Sequence, residues 1–558
     1  MHVFKKVSVN GWGGGALRLL HLLLLLLICI MKTTQCQYVK DDNKKNNEFY
    51  TAGVVEFRPT LSGMSSADLL AEHLKAYLEI ITSPEAEDID IMVFPEGSLN
   101  NAFQLTYVPS EKQNVIPCSS NASEYAEFLI KLSCAARDVH KYLVINLSEK
   151  EDCPSPAEDP RPCATNGLNV YNTNVVFDRE GRVISRYRKV NIYVENKNTT
   201  LEPEYAMFDT DFGVRFGHFI CFDMLFYTPA QELVNRFGIK DFIFTSLFYS
   251  ELPFLTATQL QHGWAWGNNV NLLAAGASYP KSGTTGTGIY AGSEGALVTV
   301  MVTSGEGERK LYKAQVPKKG MHDFSSTTEK EKVEQPILHL LQEEKKPNHS
   351  TGRHLDGIRL LKDPQIQNFD SLLLEAGKHI RKKICEIDFC CEFVVDTVAV
   401  DVPSNSSVYK YRMGMFSGSR TYEKDQRNEI KVCAVYACRN EDPESCGELL
   451  DGEFQSDIYF SYLFIEGKFP KAPKLLIMPS TLDADLNQLS RDEAQWKYSP
   501  QNVHIDVDIW LNGERRDLMT FGIYANYYSS AVVTEVMNRL MMLCVGAGVL
   551  YYKMFENI

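Results

Sequence analysis

Apolar and polar positions along the chain repeat with two periods. Residues 54–58 alternate as a strand does. Residues 68–81 carry Leu69, Leu70, Leu74, Tyr77, Leu78 and Ile81 at helical spacing. The apolar run Ile91-Met92-Val93-Phe94 then stops at Pro95-Glu96-Gly97. The same reading predicts a helix over 122–140 and a strand over 142–147. A hairpin follows, from 171–177 and 183–190, around Asp178-Arg179-Glu180-Gly181. Further on come a strand over 216–221, a helix over 229–237 with proline in its first turn, a strand over 241–247, a helix over 257–270 and a strand over 271–277. Residues 285–295 read as a glycine-rich loop. No helix is apparent after Gly286-Thr287-Gly288, so close backbone approach is a better reading there than a phosphate cradle.

Strands and helices intermix to about residue 310, which predicts layered α/β packing over 50–310. Residues 311–370 include charged, polar stretches and read as a connecting segment. Alternation returns within 371–525, at 393–400, 429–436, 458–466 and 502–511, and predicts a smaller, mainly β domain without a catalytic constellation. His262, Trp264 and Trp266 on the helix over 257–270 suit either pocket or core, and core is favoured because aromatics are commonly buried.

Composition narrows the setting. A chain of 558 residues is expected to hold two or more domains, and a net charge of −14 makes nucleic acid a poor partner. Lys5, Lys6 and Arg18 precede a short apolar run, so residues 1–36 read as a signal peptide rather than a membrane span. Setting aside Cys29, Cys36, Cys221 and Cys544, ten of the 14 cysteines remain, an even set that reads as disulfides in an oxidising compartment. Cys153 and Cys163 are the easiest local pair; Cys390 and Cys391 need separate partners. Asn121, Asn146, Asn198, Asn348 and Asn405 open N-x-[ST] glycosylation sites. Near the end, Ser529-Ser530-Ala531, a spacer and an apolar run outline a lipid-anchor signal. Ser529 and Ser530 are the attachment candidates and 531–558 the discarded segment; a helix packed on the second domain is the alternative.

Three strand ends carry the candidate chemistry. Gly217-His218-Phe219-Ile220-Cys221-Phe222-Asp223 delivers a cysteine to the rim of a sheet. Ile91 to Gly97 does the same for Glu96, and Tyr187-Arg188-Lys189-Val190 for Lys189. Read alone, each has a plain structural explanation: a packed thiol, a turn carboxylate, a solvated lysine. Together, the order Glu96, Lys189, Cys221 and the strings FPEG, YRKVNIY and GHFICFDMLF resemble the carbon–nitrogen hydrolase (nitrilase) superfamily, most of all its vanin/biotinidase branch.

The resemblance implies an α-β-β-α sandwich followed by a vanin-type, mainly β base domain. It implies an amidohydrolase in which Cys221 is the nucleophile, Glu96 the proton acceptor, and Lys189 the proton donor or oxyanion stabiliser, aided by the Phe222 backbone N–H. A cation beside the thiol is expected to favour the thiolate. No metal or organic cofactor is required. The resemblance points to pantetheine as substrate, cleaved to pantothenate and cysteamine, with biotin amides as the alternative. A silent, surface-binding glycoprotein is the reading of another class. The protein is expected outside the cell, held at the membrane through the lipid anchor or freely secreted.

Overall fold

The computed structural model describes residues 48–120, 124–319, 355–403, 406–422 and 426–528. The signal segment, Asn121, Asn348, Asn405, Ser529, Ser530 and the anchor outline lie outside the described residues. Among the described residues no helix is long and apolar enough to cross a membrane.

Two six-stranded mixed sheets carry the first part of the chain. The first is built from β1 (Phe49–Phe57), β2 (Ile91–Val93), β3 (Tyr142–Asp152), β4 (Leu168–Phe177), β5 (Val183–Arg188) and a late strand, Arg309–Pro317, beside β1. β1, β2 and β3 pair in parallel; β4 and β5 complete the sheet as the expected antiparallel hairpin. The second sheet holds β6 (Met207–Asp209), β7 (Arg215–Ile220), β8 (Asp241–Ser246), Asn271–Gly276, Thr287–Ala291 and Ala296–Val300. Its central strands run parallel and are fully buried, which explains their unbroken apolar character.

Helix Ser66–Ile81, capped by the Ser65 hydroxyl, lays Leu74, Tyr77 and Ile81 on the first sheet, beside Phe128, Leu129 and Leu132 of helix Glu127–Val139. Helix Ala257–Asn268 covers the second sheet, where the Trp264 ring meets Phe219 and Phe242 edge-on at 5.3 and 5.1 Å. Trp264 and His262 are buried, so both belong to the core. The facing sheets exchange buried polar contacts: Thr245 Oγ1 donates to Asn174 Oδ1 at 2.9 Å, and Ser185 Oγ lies 2.8 Å from His218 Nε2. The whole is an α-β-β-α sandwich.

Three expectations are corrected. Residues 287–291 are not part of a loop; they form a buried strand paired on both sides. Glycine depresses strand propensity, but neighbours on two edges supply the ladder that the local sequence does not announce. The helix over 229–237 shrinks to Glu232–Asn235, because Thr228 is extended (φ −103°, ψ 126°) ahead of Pro229 and an irregular turn follows. The helix over 122–140 begins only at Glu127.

Among the later described residues, two five-stranded antiparallel sheets form. One holds Asp370–Leu373, Lys410–Thr421, Arg427–Cys438, Leu475–Asp483 and Leu518–Tyr527; the other holds His379–Glu386, Phe389–Ala399, Ile458–Pro470, Ala494–Pro500 and His504–Leu511. Burial alternates along Phe389–Ala399 and His504–Leu511, so each sheet buries one face. All ten remaining cysteines pair: 118–134, 153–163, 385–390, 391–433 and 438–446. The 391–433 bond joins the two sheets. Strand Leu475–Asp483 runs close along helix Ala257–Asn268 at Gly263 and Gly267; a Cβ on Gly263 would stand 2.7 Å from the Pro479 carbonyl. The second domain thus leans directly on a helix of the sandwich.

Candidate active site

Each of the three singled-out residues follows the last residue of a strand or stands just beyond it. Glu96 follows β2, Lys189 follows β5, and Cys221 follows β7. Two come from the first sheet and one from the second, so packing the sheets together closes the site. All three line one cavity of about 210 Å³, together with Glu195, Lys197 and Tyr193. A larger groove, about 570 Å³, runs between the two helices on the first sheet and holds no thiol.

Glu96 and Lys189 are tightly engaged. Lys189 Nζ donates to Glu96 Oε1 at 2.8 Å and to Glu195 Oε1 at 2.7 Å. Asn172 Nδ2 donates to the same two carboxylates, at 2.7 and 2.9 Å, and the Leu247 N–H gives 2.8 Å to Glu96 Oε2. Burial alone would lower the Lys189 pKa, but the charges of Glu96 and Glu195 oppose it and the ammonium is held well above its usual range.

Cys221 is the free cysteine among the described residues, and it is buried. Its φ of 46° is left-handed, a conformation that costs a non-glycine residue about 1–3 kcal/mol. Asp223 holds the turn. Its Oδ2 accepts from the Ile220 N–H at 3.0 Å and the Tyr187 hydroxyl at 2.7 Å; its Oδ1 accepts from the backbone and side-chain nitrogens of Asn191, both at 2.9 Å. The cysteine turn is thereby bolted to the segment that carries Lys189. Phe222 is the second residue of the one-turn helix Cys221–Leu225, a place where backbone N–H groups lack an intrahelical acceptor.

The thiol departs from expectation. Burial pushes Cys221 up, the Glu96 charge adds to it, and Lys189 opposes without prevailing, so the pKa stands well above the ordinary thiol value. The resting group is a thiol, not the thiolate that an adjacent cation suggests. A proton must leave Sγ during attack.

Asn146 is a second correction. It is 2% exposed; its Oδ1 accepts from the Gly97 N–H, and its Nδ2 donates to Asn172 and Asn174. A folded Asn146 cannot carry a glycan. Asn198 is exposed, with its Oδ1 held by the Val170 N–H.

Asn172, Glu195, Asp223 and Lys197 were not legible as site residues. The signal for Asn172 is its place with Asn174 on one face of an otherwise buried strand. Glu195 and Lys197 lie in a segment with no regular element. Lys197 donates to Ser148 Oγ at 2.7 Å, and burial pulls its pKa down.

Comparison with known proteins bears on most of the chain. The carbon–nitrogen hydrolase family profile matches residues 59–233, and the vanin C-terminal domain profile matches residues 358–531. Vanin-like protein 1 of Drosophila melanogaster is 43% identical over 499 residues, 87% of each chain. Pantetheinase of Homo sapiens is 28% identical over 474 residues, covering 81% of this chain and 86% of its own. Biotinidase of Takifugu rubripes is 30% identical over 447 residues, covering 76% and 84%.

Proposed function

The chain belongs to the carbon–nitrogen hydrolases that carry a vanin C-terminal domain, and from that premise we propose that it is an extracellular amidohydrolase cleaving pantetheine to pantothenate and cysteamine through a thioester on Cys221. The observation that carries the reading is the meeting of three buried side chains, the Cys221 thiol, the Glu96 carboxylate and the Lys189 ammonium, at a single cavity.

The chemistry follows from those groups. As Sγ bonds to the carbonyl carbon, the thiol proton passes to Glu96 and an electron pair moves onto the carbonyl oxygen. Lys189 and the Phe222 N–H stabilise that oxyanion. Collapse breaks the C–N bond, and Glu96 returns the proton to the leaving nitrogen. Glu96 then takes a proton from water as the oxygen attacks the thioester, and the acid leaves as the Cys221 thiol is restored. Glu195 and Asn172 position Lys189 and Glu96. No step calls on a metal or organic cofactor.

The five disulfides suit an oxidising compartment. The lipid anchor at Ser529 or Ser530 is the tethered form of the same proposal, and release of surface activity by phosphatidylinositol-specific phospholipase C tests it. Likeness to a biotinidase keeps biotin amides as the second substrate reading. Hydrolysis of pantetheine and biocytin side by side by purified protein decides between them. Turnover of pantetheine is expected; turnover of biocytin alone overturns the substrate, and a folded protein that cleaves neither returns the silent-glycoprotein reading.

A further inference from the structure

Cys221 faces a second cavity, about 60 Å³, which Glu96 does not line. Both domains build it. Phe222 and Tyr249 come from the sandwich, Arg420 and Tyr422 from the second domain. The Phe222 ring meets Tyr422 edge-on at 5.5 Å, and the Arg420 guanidinium stands 5.2 Å from the centre of the Tyr422 ring.

The polar end of this cavity is incompletely paired. Arg420 Nη2 donates to Glu251 Oε2 at 2.8 Å, and Nη1 reaches Asp363 Oδ2 at 3.3 Å. Arg420 is 5% exposed and Glu251 9%. Yet Glu251 Oε1 and Arg420 Nε are buried without a hydrogen-bond partner. Buried polar atoms are nearly always paired, and an orphan costs about 1–3 kcal/mol. The Tyr422 hydroxyl is a third such atom. Three orphans on residues lining one cavity beside the nucleophile are what a ligand group would satisfy. Glu251 Oε1 is an acceptor, Arg420 Nε a donor, and the Tyr422 hydroxyl can serve as either. Glu251 and Asp363 already balance the Arg420 charge, so the pair does not call for an anion. The matching group is neutral and offers both a donor and an acceptor: a secondary amide or a hydroxyl. The volume exceeds the roughly 10–15 Å³ that a single water needs, so the cavity admits a small polar group.

We propose that this cavity is an acyl-arm subsite selecting amides that carry a neutral amide or hydroxyl within a few bonds of the scissile carbonyl. The inference rests on the amidohydrolase reading above. Glu96 must reach the leaving nitrogen, and it lines the larger cavity, so the acyl arm takes the other side of Cys221. Pantetheine places an amide nitrogen two methylenes from its scissile carbonyl. A biotin amide places four methylenes there, which would leave Glu251 Oε1 and Arg420 Nε unpaired, and sites built for hydrogen bonding reject such analogues strongly.

The test compares pantetheine with N-butyrylcysteamine, which keeps the leaving group and scissile amide but has an all-methylene arm. Glu251→Gln, which puts an amide donor where the acceptor stood, should lower kcat/KM for pantetheine at least about tenfold more than for N-butyrylcysteamine. Tyr422→Ala should erode the same preference. Equal loss on both substrates, or an unchanged preference, overturns the subsite. Calorimetry on Cys221→Ala protein separates this from the reaction itself: pantetheine should bind at least about tenfold more weakly once Glu251→Gln is added. Unchanged binding overturns the subsite even if pantetheine is hydrolysed. Weakened binding supports it even if the wild-type protein cleaves neither amide.

Discussion

Lys189 Nζ lies 2.8 Å from Glu96 Oε1, with the two residues 2% and 5% exposed. Neither charge has water to fall back on, so each is held in place by the other. Losing one partner of such a pair costs about 3–5 kcal/mol, because the survivor is left uncompensated. Lys189→Met and Glu96→Gln should each lower kcat by about a thousandfold, and the double variant should lose little beyond the worse single change. Steady-state kinetics on the four proteins measures this. If the double variant loses the product of the two single effects, the groups act independently and the unit is wrong.

Cys221 should be a slow thiol at neutral pH. Its pKa is raised by burial and by the Glu96 charge, so below that pKa the thiolate fraction grows about tenfold with each pH unit. Alkylation of the native protein, followed by peptide mass mapping, should accelerate steadily from pH 7 to pH 9 at Cys221, since the other described cysteines are in disulfides. A plateau reached by pH 7 would show a low-pKa thiolate and contradict the electrostatics. Cys221→Ala should abolish hydrolysis without loss of secretion.

What the sequence showed and what it hid divide along physical lines. The strand ends at Glu96, Lys189 and Cys221 were legible from local signals: apolar runs stop at Glu96 and Cys221, and an alternating segment carries Lys189. Strand Thr287–Ala291 was not, because its pairing partners lie elsewhere in the chain and the glycines at 283, 286, 288, 292 and 295 break up its short run of strand formers. The sequon at Asn146 misled for the converse reason: three residues specify the motif, but burial between Gly97 and Asn172 is decided by the sheet. Glu195 and Asp223 were hidden because their roles are relations to Lys189 and to the cysteine turn, and no periodicity records a relation. The separate partners of Cys390 and Cys391 were legible; which cysteines those partners are, 385 and 433, was not.

Glu56 should make stability fall as pH rises through the acid range. It is buried between the sheets, where the Thr285 and Thr287 hydroxyls donate to it at 2.6 and 2.5 Å, yet burial outweighs those bonds and raises its pKa from 4.5 to about 7. A carboxyl raised on folding favours the protonated native state. Its contribution is complete below about pH 4.5, declines up to about pH 7, and is gone above. The shift is worth on the order of 3 kcal/mol. Glu56→Gln cannot ionise. Relative to wild type, its unfolding free energy in denaturant titrations should therefore climb by up to about that amount between pH 4.5 and pH 7 and stay level beyond. A difference that is flat or falls over that window would contradict the assignment.

Asp223 should prove a positioning residue whose loss reaches the chemistry. Its two oxygens take four hydrogen bonds: one from Ile220 just ahead of the cysteine, one from the Tyr187 hydroxyl two residues before Lys189, and two from Asn191, two residues beyond it. The bonds hold Cys221 in its left-handed conformation and set the distance from thiol to ammonium at the same time. Asp223→Asn keeps the shape, but in either orientation its Nδ2 confronts donors, so buried N–H or O–H groups lose their acceptor. About 1–3 kcal/mol of stability should go with each unpaired group. If that were all, kcat measured well below the melting temperature would be unchanged. Instead kcat should fall about a hundredfold with little change in KM, because a misplacement near 1 Å in the reacting groups has that cost. The pH dependence of Cys221 alkylation should shift as well, since Lys189 and Glu96 would no longer stand at their present distances from the sulfur. Full kcat in a merely less stable Asp223→Asn protein would confine the residue to a structural role.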